Sequence, residues 1–289
     1  MLTHGGILCN CDGATEIVRE LGLGEEVFLS FLPLSHAYEH VGGIYFPICL
    51  GAQIYYAERV DTLINNMAEV RPTIMTAVPR LYETMRSRIH QGLKVQSNFR
   101  RGMFEKTLAL GSKRYENSKS LSLWDKLLDA ICERLVRNKI RERFGGRLKA
   151  LVSGGAPLNY DVGLFFTALG VRILQGYGQT EASPVISANI PSNVKLHAVG
   201  PPARGVSAKI ADDGEILVSG EMVMLGYWND PDATIATLSD DGWLHTGDIG
   251  HIDEDGHIVI TDRKKDIIVN SGGDNISPQR VEGILCLEE

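Results

Sequence analysis

Ten consecutive residues, Gln175-Gly176-Tyr177-Gly178-Gln179-Thr180-Glu181-Ala182-Ser183-Pro184, put an aromatic ring, a hydroxyl and a carboxylate into one short stretch. Glycines on either side of Tyr177 let backbone approach a flat ligand closely while the ring stacks on it. Thr180 and Glu181 stand side by side, which suits a phosphate oxygen and an accompanying Mg²⁺, an ion usually held by one or two carboxylates plus phosphates. A glycine-rich turn with a solvated glutamate is the alternative for the decapeptide alone. Two more stretches have similar promise. Pro33-Leu34-Ser35-His36-Ala37-Tyr38-Glu39-His40 is a polar and aromatic cluster at a strand end, where α/β proteins place ligands. Taken alone, His36 or His40 is more simply a histidine capping a helix. Ser153-Gly154-Gly155-Ala156-Pro157-Leu158 is a small-residue turn that lets a planar ring lie against backbone, with Pro157 placed to start a helix.

These residues need a frame. Apolar runs at Val27–Leu32, Gln53–Tyr56, Thr73–Val78, Leu148–Val152 and Val171–Leu174 read as strands. Helices are expected over Gly13–Leu23, Asp61–Val70, Pro79 to about Ile89, and Asp161–Leu169. Strand and helix thus alternate from residue 27 to 185, which calls for a mostly parallel sheet covered by helices. Residues 91–143, rich in Lys, Arg, Glu and Leu, fit two or three surface helices broken at Asn117–Ser122, their charges a solvated face. From about Ser187 the texture changes. Short β runs are punctuated by Asp212-Asp213-Gly214, Asp240-Asp241-Gly242 and Asp253-Glu254-Asp255-Gly256, which are hairpin turn signals. The expected plan is a tail of a first α/β subdomain over 1–26 and an α/β subdomain over 27–186 with a helical insert at 84–146. A small antiparallel subdomain of distorted-barrel type follows over 187–262, then a hinge and the start of a further domain over 263–289.

Composition sets outer bounds. The 289 residues suffice for one large domain or two, with 29 basic against 36 acidic residues and a net charge of −7. That balance argues against a broad nucleic-acid or anionic-membrane footprint, though it says nothing of a local anion site. Cys9, Cys11, Cys49, Cys132 and Cys286 are scattered and lack zinc spacing, as expected of reduced thiols in a cytoplasmic protein. No signal peptide opens the chain. The most apolar segment, Val41–Tyr56, is too short to span a bilayer and reads as a core helix running into a strand, so any membrane contact would be peripheral. Oligomeric state is not legible.

The ordered set Ser153-Gly154-Gly155-Ala156-Pro157, Tyr177-Gly178-Gln179-Thr180-Glu181, Gly242-Trp243-Leu244-His245-Thr246-Gly247-Asp248 and Asp262-Arg263-Lys264-Lys265-Asp266 resembles the motifs of the adenylate-forming (AMP-binding) superfamily. Within it, Asn270-Ser271-Gly272-Gly273-Asp274-Asn275-Ile276-Ser277-Pro278 and the helical insert look most like long-chain fatty acid–CoA ligases. The resemblance implies the large N-terminal domain of that fold, incomplete here. It also implies a two-step reaction: ATP and a fatty acid form an acyl-adenylate with loss of pyrophosphate, and CoA then displaces AMP. Residue by residue, Gly154, Gly155, Ala156 and Pro157 with Gln175, Gly176, Tyr177 and Gly178 would flank the adenine, Thr180 would hold the α-phosphate, and Glu181 the Mg²⁺. Asp248 would accept from both ribose hydroxyls, although a turn Asp after Gly247 is the plainer alternative, and Arg263 would add a ribose or phosphate contact. His36 would lie near the carboxylate of the acid. Lys265 matches the point about which the family's C-terminal domain swings, and Gly272 and Gly273 match the loop that meets the CoA arm, a structural turn being the alternative there.

Two parts of the family's machinery are expected outside this stretch: a Ser/Thr/Gly-rich phosphate loop before Met1 and a lysine-bearing C-terminal domain after Glu289. Both ends look cut. Loss of such donors lowers rate on the order of 10²–10³ for each, so the 289 residues alone are expected to be a poor ligase, and, without the strands that should complete the first half of the sheet, to fold poorly. The competing readings are a ligase for another carboxylic acid, a non-catalytic AMP- or acyl-binding remnant, and an interaction module built on the basic helices of residues 91–143.

Overall fold

The computed structural model describes residues 1–266 together with 268–269 and 275–276. The chain forms two compact units, Arg19–Gln175 and, as the second, Met1–Val18 with Gly176–Glu289. The units part at 18/19 and 175/176, whereas the boundaries read from sequence lie at 26/27 and 186/187.

In the Arg19–Gln175 unit, β1 (Val27–Ser30), β2 (Gln53–Tyr56), β3 (Ile74–Ala77), β4 (Ala150–Ser153) and β5 (Ile173–Gly178) pair in parallel in the order β2-β1-β3-β4-β5, the last three residues of β5 running on into the other unit. Every residue of β1 and β3 is buried, as expected of central strands covered on both faces, while β2 is an exposed edge. Parallel polarity puts the turns after β1 and β4 at the same end of the sheet. The core joins Leu29, Met75 and Leu151 of the strands to Tyr82, Phe165 and Phe166 of the helices. Phe165 and Phe166 meet edge to face at 5.2 Å, a favoured aromatic geometry.

The expected strands and helices are found, with four differences, of which the first is that the helix expected over Gly13–Leu23 runs instead from His4 to Val18, with a 3₁₀ turn over Arg19–Leu21. The helix after β4 is Tyr160–Ala168 and is opened by Asn159, whose side chain accepts from the backbone N–H of Asp161 and Val162; Pro157 lies before it. Asn159 wins because a side-chain acceptor satisfies donors that a proline leaves untouched. The segment Ala37–Glu39, His40–Tyr45, Phe46–Cys49 is one continuous helical stretch with a π turn in its middle. The insert contains the helices Asn98–Asn117, Leu123–Cys132 and Asn138–Arg143, and one of its charges, Arg137, is completely buried rather than solvated.

The other unit opens with the helix His4–Val18, begun by Thr3, whose Oγ1 accepts from the Gly6 N–H. It reaches β6 (Val185–Ala188) through buried Asn10, which bonds Ala182 and Val185. The end of β5 pairs antiparallel with β6. β7 (Ser207–Ile210), β8 (Glu215–Ser219), β9 (Leu244–Ile252) and β10 (Ile258–Arg263) then form a curled antiparallel sheet in the order β10-β9-β8-β7. All three expected turns form, each closing on a glycine at φ 82–85°. Ile186, Ile216, Val218, Met222, Leu244 and Ile258 fill the core of this unit.

Candidate functional site

Two bulges shape the curled sheet where its chemistry lies. The ladder between β9 and β10 shifts register between Ile260 and Asp262, and that between β8 and β9 shifts between Glu215 and Leu217. An extra residue in one strand re-aims the side chains beyond it. Here the first shift sets Arg263 opposite Asp248. Asp248 is buried in β9 and is not a turn residue. Its Oδ2 accepts from the Tyr177 hydroxyl at 2.6 Å, and its Oδ1 faces Arg263 Nε at 3.3 Å. Burial pushes the Asp248 carboxyl above its ordinary range, with the Tyr177 hydroxyl and Arg263 opposing. Burial and the facing carboxylate likewise push the Tyr177 phenol well up, so it stays a donor. The Tyr177 ring packs against the apolar core of this unit, which holds its plane.

Sequence reading missed the residue that supports this cluster. Glu215, buried at the start of β8, accepts from Gly247 N–H at 2.8 Å and from Lys264 Nζ at 3.0 Å, with His245 Nδ1 at 3.2 Å. One carboxylate thus ties the residue before Asp248 to the residue after Arg263. Burial pushes Glu215 up, but Lys264, His245 and the Gly247 N–H more than offset it, and the group lies below its ordinary value. A carboxylate with a lowered native pKa contributes stability above its unfolded value, and that contribution is lost as pH falls through the native value. Glu215→Gln should therefore be less stable than wild type at pH 7, and the gap should close between about pH 5 and pH 3 in denaturant titrations. A gap that stays constant across that range would show that the charge is not what Glu215 supplies.

The decapeptide is not a turn at its start: Gln175-Gly176-Tyr177-Gly178 continues β5. Gln175 is buried and Gly176 is half-buried. Gly178 is required by close approach, because a Cβ there would lie 1.9 Å from the Pro184 carbonyl oxygen. Thr180 and Glu181 follow in a single 3₁₀ turn, with Thr180 exposed. Glu181 Oε1 accepts from the Tyr227 hydroxyl at 2.7 Å, a partner 46 residues away that the sequence reading did not name. Burial, with Glu181 beside it, pushes the Tyr227 phenol up. Gln179 Nε2 is buried with no hydrogen-bond partner among the described residues, an orphaned donor beside the phosphate-type pair. The Gly226-Tyr227-Trp228 aromatic pair was the available signal for Tyr227. Glu215 stands directly after a turn glycine and carried no signal of its own.

Among the described residues no group of three or more His, Cys, Asp or Glu could hold a metal. Glu181 is a single carboxylate, fixed at one oxygen by Tyr227, which fits Mg²⁺ brought with a phosphate ligand and does not fit a site made of protein alone. The described cysteines, Cys9, Cys11, Cys49 and Cys132, are thiols and not disulfides.

The remaining candidates divide by unit. In Arg19–Gln175, His36 is exposed and its Nδ1 accepts from the Tyr38 N–H at the start of the helical stretch, so its role in the structure is a cap. The Tyr38 ring lies over Gly154, where an added Cβ would be 3.1 Å from it, and its hydroxyl donates to the Val152 carbonyl. Gly154 is buried, while Gly155, Ala156 and Pro157 are exposed. Buried Glu39 accepts from Ser30 and Thr76 hydroxyls beneath them, and burial pushes its carboxyl up. In the other unit Lys265 is exposed. Gly272 and Gly273 lie outside the described residues.

With this geometry in hand, similarity to known proteins is informative. Residues 1–228 match the AMP-binding enzyme family. The chain is 34% identical over 284 residues to the long-chain-fatty-acid–CoA ligase FadD15 of Mycobacterium bovis, covering 97% of this chain and 46% of that protein. It is 33% identical over 303 residues to the long chain acyl-CoA synthetase 6 of Arabidopsis thaliana, covering 98% and 41%. The chain spans about half the length of the curated relatives it matches. Among solved structures it resembles ATP-bound MatB from Rhodopseudomonas palustris, at TM-score 0.70 and 25% identity over 98% of this chain and 48% of that one. It shares a fold with the o-succinylbenzoate CoA synthetase of Bacillus subtilis in complex with its acyl-adenylate, at TM-score 0.71 and 22% identity over 100% and 50%. Well over half of its residues fall in the matched region, and that region holds Tyr177, Thr180 and Glu181 in their motif order, so the chain belongs to the AMP-binding enzyme family.

Proposed function

We propose that this chain carries the nucleotide-handling part of an ATP-dependent ligase that activates a long-chain fatty acid as its adenylate and transfers the acyl group to CoA. The observation that carries the reading is the buried Asp248 carboxylate, gripped by Tyr177 and faced by Arg263, in a member of the AMP-binding enzyme family. A carboxylate so placed accepts from a ribose diol, and the adjoining tyrosine ring offers a purine a stacking face. Thr180 would bond the α-phosphate, and Gln179 Nε2 is a donor in want of an acceptor beside it. Glu181, set by Tyr227, would hold Mg²⁺, which when bound neutralises phosphate charge. The acid's carboxylate oxygen attacks the α-phosphorus and pyrophosphate leaves; the CoA thiolate then attacks the acyl carbon and AMP leaves. For Gly154–Pro157 and His36, the roles are those the family resemblance implies: purine contact and contact with the acid's carboxylate. Exposed Lys265 is proposed as the hinge, because a residue that absorbs a torsion change must be free of packing. Gly272 and Gly273 are proposed for the CoA arm.

Support for a long acyl chain comes from the names of the curated relatives. The test is a panel of acids with ATP, Mg²⁺ and CoA, read as pyrophosphate release by the 289-residue chain, alongside calorimetric titration with AMP. Hexadecanoate should give slow, acid-dependent release, and malonate or an aryl acid none. Release with malonate alone would overturn the acyl assignment. Absence of AMP binding up to about 1 mM, a bare 4 kcal/mol of affinity, would overturn the site itself.

A further inference from the structure

The helix Leu123–Cys132 and the turn Glu133–Arg137 that continues it present an unusual outer face. Leu123, Leu127, Ile131 and Leu135 recur at every fourth residue and are exposed, and Trp124 beside them is 75% exposed. The charges of the segment and its flanks differ in their pairing, and of the cations in the segment Arg137 is buried. The segment's acids are all paired: Asp125 with Lys113, Asp129 with Arg114 and Arg137, and the part-exposed Glu133 with Arg137 and Arg141. Lys119, Lys126, Arg134 and Lys139 are exposed and are in no ion pair among the described residues. An exposed apolar stripe whose unpaired charges are all cations is a local anomaly in a chain of net charge −7. The partner-site reading of this insert, set aside on its charge run, thus regains weight from how the charges are distributed.

A stripe of Leu, Ile and Trp with Lys and Arg along its margins is the pattern of a helix lying in a membrane interface, apolar side in the acyl boundary and cations at the headgroup phosphates. We propose that this face docks on an anionic lipid bilayer. A second copy of the chain fits poorly, because a two-fold contact through the same patch would bring the four cations of one copy close to the four of the other. For a long-chain acid, which partitions into bilayers, such docking would bring the enzyme to its substrate; that purpose rests on the proposed function, but the test below uses no acid and stands apart from it.

The test is flotation of the 289-residue chain with vesicles of phosphatidylcholine, with and without an equal share of phosphatidylglycerol, at low salt and at about 0.5 M NaCl. The chain should float with the anionic vesicles only, and at high salt at least about tenfold less. Lys126→Glu with Arg134→Glu should lower the bound fraction by a similar factor. Leu127→Glu with Ile131→Glu should abolish binding, and because all four side chains are exposed the variants should keep wild-type circular dichroism. Trp124 emission should shift to the blue on vesicles and be quenched by brominated acyl chains, a signal Trp124→Phe removes. No flotation of wild type, or flotation equal in both charge states, overturns the proposal. Sedimentation equilibrium showing a dimer that the leucine–isoleucine variant disperses, without vesicle binding, would assign the face to a second copy.

Discussion

Arg137→Ala is expected to remove about 3–5 kcal/mol of unfolding free energy, the usual consequence of removing one partner from a buried charged pair. The Arg137 side chain has no exposed surface. Its Nε donates to the Ala168 carbonyl at 2.7 Å, one of those that the end of the helix Tyr160–Ala168 leaves without an intrahelical partner. Its Nη2 donates to Asp129 at 2.6 Å and to the Thr107 carbonyl at 3.3 Å. Groups on three helices of the unit thus meet at one guanidinium. Where two of them cross they touch closely, for a Cβ on Gly111 would lie 2.5 Å from the Ala168 backbone. Arg137→Lys should recover less than half of the loss, since an ammonium cannot reach separate acceptors as a planar fork does. Arg137→Met with Asp129→Leu should be milder than the two single changes summed, because both charges go together. Urea denaturation at neutral pH of wild type and of these variants, the single changes Arg137→Met and Asp129→Leu included, checks all of this. A loss under about 1 kcal/mol for Arg137→Ala, the scale of a surface pair, would mean the guanidinium is no structural clamp.

Why Arg137 was read as solvated shows where sequence reading ends. In residues 91–143 charges recur on every face of the helices, and a run of Lys, Arg and Glu carries no mark for the one that turns inward. The strands were legible because their apolar runs have one reading, and Gln53–Tyr56 lies where it was expected. The first helix was not. Its Gly5, Gly6, Asn10 and Gly13 lower helix propensity, and each is there for a contact far along the chain. A Cβ on Gly6 would lie 3.1 Å from the Glu221 carbonyl oxygen, and one on Gly13 3.1 Å from that of Arg204. Those same contacts place Met1–Val18 with residues beyond 176, a grouping that no local pattern encodes.

The site was legible as a set of residue types and less so as a set of partners. Asp248 and Arg263 come together because antiparallel pairing and one bulge bring β9 and β10 into line, and Tyr177 reaches Asp248 from β5. Tyr227 and Glu215 escaped notice because their partners are remote in sequence: Tyr227 donates to a group 46 residues away, and Glu215 accepts from groups 32 and 49 residues away. Spacing reveals a helix face or a turn, and it cannot reveal a bond across a sheet.

Asp248→Ala is expected to weaken AMP binding by at least about a hundredfold, since two hydrogen bonds to a charged acceptor contribute about 1.5–3 kcal/mol each. Asp248→Asn keeps one acceptor and should fall between, near tenfold. Tyr177→Phe separates geometry from charge. With its hydroxyl gone, Asp248 loses its short donor at 2.6 Å and keeps only the exposed Arg263 at 3.3 Å, so burial pushes the carboxyl further up. Affinity that depends on the ionised carboxylate should then fall off at a higher pH than in wild type. Calorimetric titration with AMP from pH 8 down to pH 5 reads both effects, with circular dichroism as the check on folding. Tyr177→Phe leaves the stacking ring in place, so a loss at pH 8 as large as that of Asp248→Ala would place the hydroxyl itself on the nucleotide. An acid limb unmoved by Tyr177→Phe would mean that Arg263 alone sets the carboxylate. An Asp248→Ala chain that folds and binds AMP within threefold of wild type would remove Asp248 from the site.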